Sequence, residues 1–347
     1  MPKYLAPGVY VEETSLRSKH IEPVATHTTA FVGGIGNHTV SGLLTDAQDF
    51  DRFQDGQGDP GMAQAVRAFF NEGGKRLYVA ASVDAIESLR DVSIVAAPGN
   101  TTPEMAHALI VHAERPGAHG IAVLDAPAGC TMAQVLDHRR AFNSSHAALY
   151  HPWVVSIVEG RETLLPPSPF ICAIYARHDV EAGVHKAPAN VVVKGAVRFD
   201  PHIHNAEQDV LNPEGINCLR FFEGRGRRVW GARTLSRDPD WKYVNQRRYF
   251  NYLQASLERG TSWVVFEPNG EPLWDKLCEA VGNFLYKEWR NGALPGTKPE
   301  EAFFVKCDRS TMTQNDIDQG RVVCQIGVAF LKPAEFVIFR VSHQMAV

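Results

Sequence analysis

Between residues 91 and 180, short apolar runs alternate with amphipathic stretches of helical period, and no other feature narrows the fold so far. Residues 93–97, Ile121–Asp125 and Trp153–Val158 read as strands, while Pro103–Glu114 and 132–144 read as helices. Such runs lack a polar face, so they suit strands covered on both sides, and the helices between them serve as crossover connections. This predicts a mainly parallel sheet in an α/β region. Pro166-Pro167-Ser168-Pro169 then makes a stiff turn before a helix-like run at 170–177.

The flanks extend the pattern. Residues 1–27 are punctuated by Pro2, Pro7 and Pro23 and read as an arm whose only short strand is Val9, Tyr10, Val11 and Glu12. Thr28–Val32 is a buried strand, left through Gly33-Gly34-Ile35-Gly36. Asp59-Pro60 caps a helix carrying Met62, Ala65, Val66, Phe69 and Phe70 up to Gly73, and a strand follows at 76–82. The last third opens with a predicted hairpin, 217–223 and 228–235, joined across 224–227. Asp238-Pro239 leads into a long helix with the stripe Val244, Phe250, Leu253 and Leu257, and Gly260 ends it. A strand is expected at 262–266, then a helix from Pro272 with Leu273, Leu277, Val281 and Phe284 on one face.

Cys324, Ile326, Val328 and Phe330 alternate, and after Lys332-Pro333 comes the apolar run Phe336, Val337, Ile338, Phe339, Arg340, Val341. An exposed apolar edge is an aggregation template, so this run must pair. It could fold back across 332–335 as a hairpin or add to a sheet in another subunit. The expected division is an N-terminal arm 1–27, the first part of the α/β region 28–90, an α/β outer domain 91–200, an α+β core domain 201–331 and a C-terminal arm 332–347.

The search for chemistry returns little. Lys plus Arg number 35 against 39 Asp plus Glu, a net charge of −4, so no global cationic field would attract nucleic acid or anionic lipid. No two of the six cysteines have C-x-x-C spacing, and scattered cysteines in so long a chain read as thiols of a reducing compartment. The N-terminus lacks an apolar signal core and no window approaches 18 apolar residues, so a soluble product that starts in the cytosol is expected. The glycine run at 33–36 fails the G-x-G-x-x-G spacing, and neither a P-loop nor a G-x-S-x-G elbow is present. His202 and His204 beside Asp200 supply two-thirds of a metal site at most, and a solvated loop explains them better. The acid pairs at 49/51, 238/240 and 316/318 suit caps and turns. Arg225, Arg227, Arg228, Arg233, Arg237, Arg247 and Arg248 lie near Tyr249, Phe250 and Tyr252; the acidic net charge favours a protein contact over single-stranded nucleic acid.

The last third carries a resemblance. Leu211-Asn212-Pro213-Glu214-Gly215-Ile216-Asn217 precedes Val229-Trp230-Gly231-Ala232-Arg233-Thr234-Leu235, then Tyr243-Val244-Asn245-Gln246-Arg247-Arg248 and Phe266-Glu267-Pro268-Asn269. Thr313-Gln314-Asn315-Asp316-Ile317-Asp318-Gln319-Gly320 and Lys332-Pro333-Ala334-Glu335-Phe336-Val337 follow. Upstream stand Tyr4-Leu5-Ala6-Pro7-Gly8-Val9-Tyr10-Val11-Glu12-Glu13 and Val184-His185-Lys186-Ala187-Pro188-Ala189-Asn190. Together these strings resemble the sheath proteins of contractile phage tails and of phage-like injection particles. The resemblance implies a structural, non-enzymatic subunit without cofactor or metal. Such subunits stack as hexameric rings around an inner tube and contract to drive that tube through an envelope.

The resemblance also implies terminal strands, 9–12 and 336–341, that complete sheets in neighbouring subunits. Implied partners are further copies of the chain, the inner tube protein, baseplate and terminator or cap proteins, and paralogous sheath subunits, with neither nucleic acid nor membrane insertion. Assembly in the bacterial cytoplasm, then service in a tail or released particle, goes with it. Candidate tube contacts are Asp316 and Asp318 in one turn, and Lys276, Lys287 and Arg290 on the helix from Pro272. The rivals are an α/β hydrolase or nucleotide-binding enzyme built on 91–180, and a non-contractile tail ring or terminator protein.

Overall fold

The computed structural model describes residues 20–36, 38–53, 59–336 and 338. In chain order β1 (Thr28–Val32), α1 (Ala47–Phe53), α2 (Pro60–Glu72) and β2 (Arg76–Ala80) come first. Then follow β3 (Ile94–Ala96), α3 (Pro103–Glu114), β4 (Ile121–Asp125), α4 (Met132–Arg140) and β5 (Ala147–His151). An excursion comprises β6 (Trp153–Val158), β7 (Arg161–Leu165), α5 (Ser168–Ala182) and β8 (Arg198–Asp200), after which α6 (Asn205–Leu211) leads to β9 (Ile216–Phe222) and β10 (Gly226–Trp230).

Seven of these strands make one sheet in the order β10-β9-β5-β4-β3-β1-β2. Its pairings are parallel from β2 through β9, and only the β9–β10 hairpin is antiparallel. The central strands are buried throughout, and alternate residues feed two cores. Phe31, Ile121, Val123 and Tyr150 face α2 and α5, while Ala30, Val32, Ala122 and Leu124 face the α3 and α4 side. The helix starts follow from local chemistry. Asp59 accepts from the Gly61 amide at 2.9 Å ahead of Pro60, and Thr102 accepts from Met105 N ahead of Pro103. Thr131 and Gln134 form a reciprocal capping box on α4.

Several expectations are corrected. Trp153–Val158 is a strand, but it lies in a separate antiparallel sheet, β7-β6-β8; the fifth parallel strand is Ala147–His151. The helix expected to reach residue 144 ends at Arg140, and the helix begun at 170 runs from Ser168 to Ala182. The large sheet draws β9 and β10 from beyond residue 200, so the expected domain boundary there passes through a single sheet.

A third core stands apart from the sheet. It is built on α7 (Val244–Gly260), α8 (Glu271–Arg290), the short α9 (Pro299–Ala302), β11 (Phe303–Lys306), α10 (Gln314–Asp318) and β12 (Gln325–Val328). α8 buries Leu273, Trp274, Leu277, Ala280, Val281, Phe284 and Leu285 along one stripe. Each large side chain there stabilises the fold by roughly 1.5–3 kcal/mol relative to exposure. The strand expected at 262–266 is instead a single 3-10 turn, Ser262–Val264, followed by a loop that leaves Phe266 in solvent. The fold-back hairpin across 332–335 would need 336–341 as its second strand, and most of that run lies outside the described residues. β12 pairs antiparallel with β11, which went unread in the sequence, and none of residues 331–336 is a strand.

Candidate assembly interface

Both ends of the described chain converge on α7 and are held there by buried charge pairs. On the N-terminal side, Ile21 is buried against Gly260; a Cβ at Gly260 would lie 2.7 Å from an Ile21 methyl group, so the approach needs glycine. The Val24 amide donates to Ser256 Oγ at 3.2 Å. Thr26 Oγ1 donates to Asp179 at 2.5 Å, and the Thr26 carbonyl accepts from Arg248 Nη2 at 3.0 Å and Ser93 Oγ at 2.6 Å. Arg248 is bidentate on Asp179, at 2.8 and 2.6 Å, with both side chains 4% exposed. A single ion pair therefore ties the root of the first arm to α5 and α7. Within the expected arm 1–27, Ile21, Val24 and Thr26 make these contacts, while His20, Glu22, Pro23 and Ala25 are exposed.

On the C-terminal side, the Ala329 amide donates to the Ala302 carbonyl at 2.8 Å, and Phe330 packs among Trp241, Tyr249 and Phe250. Asn245 Nδ2 donates to the Leu331 carbonyl at 3.2 Å. The Glu335 carboxylate then accepts two bonds from Arg233, at 2.7 and 2.6 Å, and one from Tyr243 Oη at 3.0 Å, with Lys242 Nζ 3.4 Å away. Burial pushes the Glu335 carboxyl up, but the bonds and charge of Arg233, with Tyr243 and Lys242, more than offset this and hold it below its ordinary value. One residue later, Phe336 is 73% exposed.

Between these roots lies a two-stranded sheet. β11 and β12 pair from Phe303↔Val328 to Lys306↔Gln325. Phe303, Val305, Ile326 and Val328 turn toward the third core, and outside, the Phe304 ring covers Gly327, where a Cβ would meet it at 2.1 Å. Among the described residues neither outer edge has a partner strand, so two rows of backbone donors and acceptors face outward.

The residues expected to join this interface fall in different places. Val9, Tyr10, Val11 and Glu12 lie outside the described residues, as do Val337, Phe339, Arg340 and Val341; Phe336 and Ile338 are described and exposed. Asp316 caps its own helix, accepting from the Thr313 amide at 3.0 Å and Thr313 Oγ1 at 2.7 Å, with Arg321 3.3 Å away. Those bonds hold its carboxyl below the usual range. Asp318 accepts from Gln314 at 2.8 Å. Lys276, Lys287 and Arg290 line the exposed face of α8. The fourteen steps along the helix from Lys276 to Arg290 span roughly 20 Å at 1.5 Å per residue, so the candidates do not make one compact patch.

The arginine concentration is dispersed too. Arg233 and Arg248 are committed to the two clamps, and Arg247 stacks 3.7 Å from the Trp241 ring centroid and bonds His146 at 2.9 Å. Arg225 stacks on Phe222 and Trp230, and Arg228 bonds the Arg225 and Asn190 carbonyls. His202 and His204 meet edge to face while Asp200 pairs with Arg198, and no group of three ligating side chains suited to a metal occurs among the described residues. The clamps escape a reading of the sequence because their partners stand 102 and 69 residues apart.

Comparison with known proteins agrees with this architecture. Residues 77–235 match the phage tail sheath protein central domain, and residues 236–344 match the phage tail sheath C-terminal domain. The chain is similar to the sheath complex of an extracellular contractile injection system, PVC, in its contracted state: 30% identity, 99% of each chain covered, TM-score 0.87. It is also similar to a chain of the 6-fold symmetrised anti-feeding prophage (AFP) baseplate, with 31% identity over 99% of this chain and 100% of that one, TM-score 0.82. A prophage major tail sheath protein of Pseudomonas aeruginosa (strain UCBPP-PA14) is 25% identical over 292 residues, 81% of this chain and 72% of that protein. With both domains matched in order and solved sheath chains covered end to end, the chain belongs to the phage tail sheath protein family.

Proposed function

We propose that this chain is the structural subunit of a contractile sheath, polymerising as stacked hexameric rings around an inner tube and shortening to drive that tube through a target envelope. The observation that carries the reading is the β11–β12 sheet, unpaired at both edges among the described residues, together with the two ion pairs that hold the described ends of the chain. Strands 9–12 and 336–341 of neighbouring copies would fill those edges. Backbone bonding would supply the affinity, and alternate side chains would fix the register. Relatives described as a contracted sheath and as a 6-fold baseplate support the contractile and hexameric parts of the reading.

Contraction in this scheme is a change of lattice. The large sheet with its helices moves as a near-rigid body, and the terminal strands act as tethers that let neighbours rotate without separating. A gain of about 1–2 kcal/mol per subunit is modest for one interface but accumulates along the sleeve. Tube, baseplate and terminator proteins are the remaining partners, the outer face of α8 and the α10 turn are the tube-facing candidates, and assembly takes place in the bacterial cytoplasm before the particle is released.

The test is electron microscopy of the purified chain beside a variant lacking residues 336–347. Tubes or cogwheel fragments from the full chain and monodisperse, folded particles from the deletion are expected. Sleeves of normal length from the deletion would refute the tethering.

A further inference from the structure

Three of the six cysteines meet at the base of the β11–β12 hairpin. Cys278 sits on α8, Cys307 directly follows β11 and Cys324 directly precedes β12. The last ladder pair is Lys306↔Gln325, so Cys307 and Cys324 occupy the next position along the two strands, in phase with the inward-facing pair Val305↔Ile326. Opposed Cα atoms of antiparallel strands stand about 4.5–5.5 Å apart, within the roughly 4.4–6.8 Å that a disulfide spans. The three thiols are near enough to shift one another's titration. All six cysteines are free thiols; Cys307 is 6% exposed and Cys324 is half-buried. Neither clamp uses these thiols, and nothing in the proposed contraction requires them.

We propose that Cys307 and Cys324 are an oxidation site, closing to a disulfide that staples the base of this hairpin when the folded protein meets a small-molecule disulfide. The more exposed Cys324 thiolate attacks one sulfur of that oxidant; the oxidant's S–S bond breaks, and one small thiolate leaves and is protonated. The Cys307 thiolate then attacks the Cys324 sulfur of the mixed disulfide and expels the second small thiolate. Two protein thiols lose two electrons and two protons, and the oxidant gains them as two small thiols. Burial, together with the neighbouring thiols, pushes Cys307 up to about 11 and Cys324 up to about 12. The thiolate is therefore scarce near neutral pH, and closure is slow and strongly accelerated by alkali. Such a staple suits a particle that leaves a reducing cell for an oxidising medium, because it sets after folding rather than competing with it. Its chemistry is independent of whether the chain assembles into a sleeve.

The test is non-reducing peptide mapping by mass spectrometry. Full-length protein is treated with oxidised glutathione at about pH 7 and about pH 8.5, and remaining thiols are then alkylated. The expected product is a peptide pair joined through Cys307 and Cys324 and lighter by two hydrogens. It should form roughly 30-fold faster at the higher pH, as the thiolate fraction dictates. It should persist in C278S and disappear in C307S or C324S. Free thiols at both positions after prolonged treatment, a stable glutathione adduct on Cys324, or a link through Cys278 in the folded wild type would each overturn the assignment.

Discussion

The C-terminal clamp can be tested through Glu335→Gln, which keeps the shape and removes the charge. In the parent, Arg233 and Glu335 are 9% and 17% exposed and joined by two bonds, with Tyr243 adding a third. Removing one partner of a fully buried pair costs about 3–5 kcal/mol, whereas exposed pairs contribute about 0–1 kcal/mol. The amide oxygen of Gln can still accept one bond, so a loss of about 2 kcal/mol is expected, an increase of about 30-fold in the released fraction of the arm root. Hydrogen–deuterium exchange of peptides covering 329–336 reads this directly, since local opening exposes those amides. The pH dependence follows from the sign of the shift. The folded carboxyl is held below its unfolded value, so the clamp's contribution is complete above the unfolded carboxylate range of about 4.3 and lost as pH falls through the lower folded value. Glu335→Gln should erase that dependence. Equal exchange in the variant and the parent at neutral pH would refute the claim that this pair holds the arm.

Three further outcomes are expected. Asp179→Asn leaves Arg248 charged and 4% exposed without its partner, so urea denaturation should show a loss of about 3–5 kcal/mol; a loss under 1 kcal/mol would contradict the buried pairing. Phe266 has φ +70° and a side chain wholly in solvent, so Phe266→Gly, which relieves the left-handed backbone, should be more stable than Phe266→Ala by about 1 kcal/mol in urea denaturation. His151 is 2% exposed, and burial pushes its imidazole down to about 4. Its folded value lies below its unfolded value of about 6.5, so stability is intact above about pH 6.5 and falls by up to about 3 kcal/mol toward pH 4, a slope that His151→Gln should flatten in denaturation curves.

The strands that could be read from the sequence are those whose burial on both faces writes an uninterrupted apolar run, such as Thr28–Val32 and Ile121–Asp125. Ala147–His151 was hidden because two alanines and a terminal histidine look like the tail of the preceding helix; its place between β4 and β9 makes it a strand. Trp153–Val158 announces a strand, but periodicity does not say which sheet receives it. The Ser-Trp-Val-Val-Phe run from 262 has strong β propensity, yet it spans the short connection between α7 and α8, and the turn prevails. Glu335 and Arg233 both stand in the strings that carry the family resemblance, but their pairing appears only when the chain is folded.

A cryo-electron microscopy map of the chain polymerised on its tube addresses the account most directly. In it, β11 and β12 of one subunit should be flanked on both sides, one added strand coming from residues 9–12 and the other from 336–341 of adjacent subunits. Edges left bare, or both terminal segments laid back on the subunit that carries them, would contradict it.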